Sequence, residues 1–286
     1  SPQPNLPAFA TTVAHDASKR GTRKAFLVGI NYIGTANQLA GCINDAQNHK
    51  TVLRHHFGFQ ESNIRMITDD QGGVGPTKAS ILAGLRWLIS GARPGDTLFF
   101  AYSGHGTQCP DESFNEADGM DEAICPVDCN AAPWPRNLIL DDELYKCFLS
   151  LPERVSLTCI MDCCHSGTIG DLPVTRDIAA PTTRARFMSP PADSRPRSMG
   201  RSTRGLKSSI ASKPELGSKD LVVLSGCQDQ QTSCDATIGG VSQGAMTWGL
   251  LKALEEASYD ITYEDLIGAT RRNLMKAGYR QVPALS

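Results

Sequence analysis

Residues 159–167 read CIMDCCHSG, a short apolar run that breaks off into an acid, two thiols, an imidazole and a small flexible pair. The run from Val155 to Met161 is strand-length and rich in β-formers, and Leu151-Pro152 in front of it would end a helix, so a buried strand is predicted there. In an open parallel sheet, ligands and catalytic groups gather beyond the carboxyl ends of strands. Asp162, Cys163, Cys164 and His165 stand at such an end. A lone cysteine beside a strand is ordinarily a small buried hydrophobe, so a functional reading depends on what else converges on the place.

Outward from this stretch, the pattern alternates. Lys24 to Tyr32 (KAFLVGINY) is a nearly continuous apolar strand, followed by a helix from about 44 to 56 and a short strand over 64–68. A helix opening at Pro76-Thr77 places Ile81, Leu82, Leu85, Leu88 and Ile89 on one face. Asp96 to Tyr102 (DTLFFAY) is a further strand, and it runs directly into Ser103-Gly104-His105-Gly106, a second tip whose glycines leave an imidazole unshielded. Asp141-Asp142 opens a helix through Leu151. Leu221 to Ser225 is another strand with the tip GCQDQQTS at 226–233, followed by helices over about 245–257 and 262–276, the latter opened by the pair Thr262 and Asp265. Such alternation predicts an α/β fold with right-handed crossovers, a mainly parallel central sheet and helices on both faces.

The 286 residues suffice for a substantial core, and a net charge of -2 gives no global electrostatic case for nucleic acid or an anionic membrane. No long apolar span or signal peptide is visible, and the default expectation is a cytoplasmic protein. Ten cysteines is a high count, but they are scattered through apolar runs and read as reduced thiols. Neither Cys125 with Cys129 nor Cys163, Cys164 and His165 has the paired spacing of a structural zinc site. Residues 1–22 lack a hydrophobic period and read as a flexible arm; 109–135 reads as a long acidic loop. Residues 176–219 carry ten Arg or Lys among Ser, Pro, Thr and Ala, which reads as a mobile basic linker; with no interleaved aromatics to stack on bases, nucleic-acid binding is disfavoured. The closing QVPALS shows no recognisable element of its own.

Hydrolysis by a thiol needs a thiolate, and a free cysteine with a pKa of roughly 8.5 is mostly protonated at neutral pH. If the strands bearing His105 and Cys164 are neighbours, the imidazole can activate the thiol and then protonate the leaving amine. The backbone N–H groups of Gly106 and Cys164 are candidate oxyanion donors.

At these residues the sequence resembles the metacaspases, relatives of the caspases. The resemblance rests on GINYIGTANQLAGCINDA at 29–46, YSGHGTQ at 102–108, DGMDEAICPVD at 118–128, DCCHSG at 162–167 and SGCQDQQTSCDA at 225–236. It covers nearly everything from Lys24 onward except the basic linker, and its order looks like the type I arrangement. It implies a caspase-like three-layer sandwich, with an N-terminal arm at 1–22, a large-subunit-like region at 23–175, the linker at 176–219, and a small-subunit-like region at 220–286. Carried over by position, His105 and Cys164 form the dyad. Cys163 is the competing thiol, and the family pattern favours the one immediately before His165; His165 itself is then not the base.

The same resemblance implies an acidic pocket for Arg or Lys built from Asp45 and Asp162 with Ser103 at its edge, where a carboxylate can grip a guanidinium by paired hydrogen bonds. Alone, Asp45 would read as a first-turn helix acid. The resemblance further implies calcium as activator, held by Asp121, Asp141, Asp142 and Asp171, whose oxygens suit that cation. By themselves Asp141 or Asp142 would read as a helix N-cap. The expected enzyme is a monomeric, calcium-dependent cysteine endopeptidase of the zymogen kind, associated with programmed cell death. It would cut protein substrates after Arg or Lys and cut itself within the linker. The alternative is a catalytically quiet scaffold acting through protein binding.

Overall fold

The computed structural model describes residues 21–110, 120–164, 183–191, 220–226 and 233–286. Its centre is a six-stranded sheet in the order β12-β9-β7-β3-β1-β2. Strands β1 (Arg23–Gly29), β2 (Ile64–Thr68), β3 (Thr97–Ser103), β7 (Ser156–Asp162) and β9 (Asp220–Ser225) are mutually parallel, and β12 (Ala284–Leu285) closes one edge antiparallel to β9. The stretch 281–286 thus carries an edge strand, and its first residue, Gln281, ties Cys234 N–H and Gly226 O together. Two residues of pairing are too short to leave a pattern in sequence.

Alternate residues of each strand enter opposite layers, as the pleat requires. Phe26, Val28, Leu98, Phe100, Leu157 and Cys159 join a cluster with Ile81, Leu85 and Leu88 of α2 (Lys78–Ile89) and Leu144 and Phe148 of α3 (Asp141–Leu149). Ala25, Leu27, Phe99, Ala101 and Ile160 face the other way, onto α1 (Cys42–His56), α4 (Ala245–Glu256) and α5 (Tyr263–Lys276). Two apolar faces covered by helices make the three-layer α/β sandwich expected of continuous apolar strands. Local signals set the helix starts: Thr77 Oγ1 accepts from Ser80 N–H, and Thr262 Oγ1 from Asp265 N–H. The α3 N-cap position is Leu140, so Asp141 and Asp142 lie in the first turn and are not its caps.

Two small sheets stand beyond the strand tips. The stretch 109–135, expected to be an irregular acidic loop, contributes β5 (Met120–Ile124), which pairs with β4 (Gly106–Pro110) and β6 (Ile139–Leu140). Residues 111–119 lie outside the described residues. The second small sheet joins β10 (Cys234–Ile238), β11 (Val241–Gly244) and β8 (Arg184–Ala185). No described helix is long and apolar enough to cross a membrane.

The presence of β8 corrects the reading of 176–219 as uniformly mobile. Thr183 to Pro191 lies against the body of the protein, with Arg186 fully buried and Met188 4% exposed. Composition averaged over forty residues disfavours order, but one segment with a charge-matched burial site escapes that average. The remainder of the stretch, like residues 1–20, falls outside the described residues.

Candidate active site

Strands β3 and β7 run side by side in register, pairing Ser103 with Asp162, so the tips bearing His105 and Cys164 are neighbours. His105 is held by its backbone: its N–H donates to the Tyr32 hydroxyl (2.8 Å), and its carbonyl accepts from the Tyr102 hydroxyl (2.8 Å). The Tyr32 hydroxyl in turn donates to Cys125 O (2.6 Å). Gly104 is obligatory between them, because a Cβ there would meet the Tyr102 hydroxyl at 2.6 Å. The ring of Tyr32 packs on the imidazole with centroids 4.7 Å apart.

The side chain of His105 is hydrogen-bonded from Nε2 to the carbonyl of Asn37 (2.8 Å). A carbonyl can only accept, so the proton sits on Nε2 and Nδ1 keeps its lone pair. Nδ1 is buried and has no hydrogen-bond partner among the described residues. Burial pushes the His105 pKa down to about 4, against the Asn37 carbonyl, which favours the charged ring. The neutral ring favours the covered site fully above the ordinary value near 6.5, and that contribution is lost as pH falls through about 4. In a Cys164→Ala chain, the His105 ring resonance, assigned against His105→Asn, is expected to titrate near 4; a midpoint near 6.5 would contradict this burial.

Cys164 stands two residues beyond the end of β7, with its thiol buried. Its Sγ receives the Ser233 N–H and donates to Ser233 O (3.3 Å). Cys163, one residue earlier, belongs instead to the apolar cluster under α2 and α3. The described cysteines form no disulfides.

Against these tips lies Arg186. Its carbonyl accepts from Gly106 N–H (2.9 Å) and Cys164 N–H (3.2 Å), one donor from each tip. Its own N–H donates to Ser233 O (3.0 Å), the same carbonyl that receives the Cys164 thiol. Before it, Ala185 and Arg184 pair antiparallel with Cys234 and Asp235; after it, Met188 N–H donates to Gly106 O (2.9 Å). The segment therefore crosses the site as an added strand, a common way to hold an extended peptide.

The Arg186 guanidinium enters a pocket of three carboxylates. Nη2 bonds Asp45 (2.6 Å) and Asp235 (2.9 Å), and Nη1 lies 3.2 Å from Asp162. Each acid is fixed by other donors: Asp45 by Gly244 N–H, Asp235 by the N–H groups of Ala40 and Gly41, and Asp162 by the Thr247 N–H and hydroxyl and the Ser233 hydroxyl. Gly244 leaves the space, since a Cβ there would collide with Asp162 and Arg186. Burial raises the Asp45 pKa to about 7 despite the guanidinium beside it. The same carboxylates hold Arg186 charged well above its ordinary range, outweighing burial.

Sequence reasoning placed Asp45, Asp162, His105, Cys164 and Gly106 here, and all five meet around Arg186. Ser103 is buried beside Asp162 at the end of β3, where its carbonyl accepts from Ile30 N–H. Asp235, Ser233, Asn37 and Arg186 were missed. Asp235 lay inside the quoted stretch SGCQDQQTSCDA, and its position on a hairpin strand was the signal available. His165 and Asp171 lie outside the described residues.

A constellation of His and Cys at adjacent strand tips, two N–H groups on one carbonyl and an acid-lined pocket is the equipment of a thiol peptidase. Comparison with known proteins gives the lineage: residues 23–173 match the family model "Metacaspase, peptidase C14 domain". The chain belongs to the metacaspases. It is 39% identical to Metacaspase-1A of Aspergillus fumigatus over 93% of this chain and 68% of that protein, and 39% identical to Metacaspase-1 of Coccidioides immitis over 100% of this chain and 68% of that one. A crystal structure of a protein from Geobacter sulfurreducens superposes with a TM-score of 0.65 at 25% identity, covering 93% of this chain and 92% of that one. As a metacaspase, the chain is a cysteine-type peptidase of the C14 kind.

Of the carboxylates expected to hold calcium, Asp121 lies on β5 and Asp141 and Asp142 in the first turn of α3. The β5–β6 register pairs Ala123 with Leu140, and α3 begins at the next residue, Asp141. Glu122 and Asp141 line one cavity of about 180 Å³. Among the described residues, no three His, Cys, Asp or Glu side chains form a metal-sized cluster. The donor chemistry fits a hard cation; the described donors alone do not complete a cage.

Proposed function

We propose that this metacaspase is a calcium-dependent endopeptidase that cuts after arginine or lysine and processes itself between Arg186 and Phe187. The docking of Arg186 carries the reading: its side chain is buried among three acids while its carbonyl receives the N–H groups of both strand tips.

His105 takes the Cys164 thiol proton on Nδ1, the nitrogen that the Asn37 carbonyl leaves unprotonated. The thiolate adds to the Arg186 carbonyl carbon, and the oxyanion stays on the Gly106 and Cys164 N–H groups. The C–N bond to Phe187 breaks as the imidazolium returns its proton to the Phe187 nitrogen. Water, deprotonated by His105, then hydrolyses the thioester, which frees the Arg186 carboxylate and restores the thiol. External substrates would enter the same groove once the segment leaves. With the site covered, the neutral low-pKa imidazole and the thiol bonded to Ser233 disfavour the ion pair, which suits a resting zymogen.

Asp121, Asp141 and Asp142 are the candidate calcium donors; since these three do not form a metal-sized cluster by themselves, Asp171 and solvent would have to complete the set. The bound cation would fix the edge formed by β5 and the start of α3, and it takes no part in the bond-breaking chemistry. Incubating the full chain with calcium is expected to yield fragments ending at Arg186 and beginning at Phe187. Chelator, Cys164→Ala and Arg186→Gln should each prevent that cut. Equal fragmentation of wild type and Cys164→Ala, or no Phe187 terminus, would overturn self-processing at this bond; cutting at full rate in chelator would overturn the calcium requirement.

A further inference from the structure

The segment that occupies the site continues past Arg186, and its path after the bond is as well defined as its path before it. Phe187 bridges to Gly106 in parallel fashion, and Met188 N–H is taken by Gly106 O. This pleat turns Phe187 outward and Met188 inward: Phe187 is half-buried, whereas Met188 is 4% exposed. The Met188 sulfur lies 3.7 Å from the Cys129 thiol, within the buried cluster that also holds Cys125, Ala123 and Ile124. A residue from the supposed linker thus completes the protein's own apolar core beside the catalytic tips.

From this geometry we propose that the metacaspase has an apolar subsite, walled by Cys129, that reads the second residue after the cleaved bond and favours methionine or another long aliphatic side chain there. The inference rests on Arg186 being the residue before the cut. Its physical basis is separate: the Gly106 backbone anchors the peptide, and the next inward-facing side chain has no route to solvent. Methionine suits such a site because its unbranched thioether adapts to an irregular wall and makes soft contact with a thiol. A charged residue would be stranded there, and glycine would leave the space unfilled. Self-cleavage and substrate choice would then use one recognition rule, Arg followed by any residue and then an apolar one.

The test is a set of internally quenched peptides with Arg fixed before the bond and Met, Leu, Gly or Asp at the second position after it, cut by the calcium-treated full chain. Met and Leu are expected to exceed Gly and Asp by about tenfold to a hundredfold in kcat/KM. In the whole protein, Met188→Asp should slow the Arg186–Phe187 cut by a similar factor. Cys129→Phe, which fills the pocket, should reverse the preference for Met over Gly. Equal rates across the four peptides, with cleavage still after Arg, would overturn the subsite and leave the Arg reading standing. Cleavage after some other residue would overturn the Arg186 assignment and the subsite with it. Persistence of the Met preference in Cys129→Phe would place the discrimination elsewhere and overturn the role of that wall.

Discussion

Cys164→Ala is expected to lower kcat/KM on an Arg-ending peptide by about 10⁴-fold or more, since loss of the nucleophile leaves only binding and oxyanion stabilisation. Its neighbour should behave differently. Cys163 and Cys164 are both buried, so exposure does not distinguish them. Surroundings do: Cys163 sits in the cluster packed against α2 and α3, whereas the Cys164 thiol bonds Ser233 and its N–H reaches the Arg186 carbonyl. Cys163→Ala removes a sulfur from the core, costs about 1–2 kcal/mol of stability, and should leave peptide hydrolysis within a few-fold of wild type. Steady-state assays on both variants, with thermal melting as the check on folding, decide the matter. Comparable losses in the two would mean that the thiol was misassigned.

The sequence resolved the strands whose apolar runs are continuous, because a strand buried on both faces needs no alternation to be recognised. It also placed the reactive groups at their tips, since DCCHSG and SGHG break apolar runs abruptly. What escaped was structure made by pairing between distant segments. The hairpin of β10 and β11 carried a visible sign, Gly239-Gly240, both with positive φ, between residues able to form strands. Reading that turn would have put Asp235 on a strand and, with Cys234, beside the active site. Arg186 left no such sign. Among ten basic residues in 176–219, only the fold's convergence of Asp45, Asp162 and Asp235 distinguishes it. Tyr32 looked like the end of a strand, yet its hydroxyl holds the His105 backbone from a residue with φ of 50°.

The acidic pocket makes a prediction that separates its members. Asp162→Asn should reduce kcat/KM for an Arg peptide by about 10²–10³-fold, in line with the 2–5 kcal/mol lost when one partner of a buried charge pair is removed. Asparagine keeps one accepting oxygen, so it cannot accept both from the Thr247 N–H and hydroxyl, which share Oδ2, and from the Ser233 hydroxyl on Oδ1, and the change also disturbs the donors that fix the acid. Asp45→Asn should cost less at neutral pH, because burial holds the Asp45 pKa at about 7 and its charge is only partly present there. The sign follows from that upward shift: the proton is retained below about pH 7 and lost above it, so the attraction for a guanidinium grows as pH rises through 7. Wild-type KM for an Arg peptide should therefore fall between about pH 6 and 8, and Asp45→Asn should flatten that dependence. A purely structural defect in the variant would raise KM at every pH and leave the slope in place. A slope of wild-type size in Asp45→Asn would remove Asp45 from the recognition of the basic side chain and leave Asp162 and Asp235 to carry it.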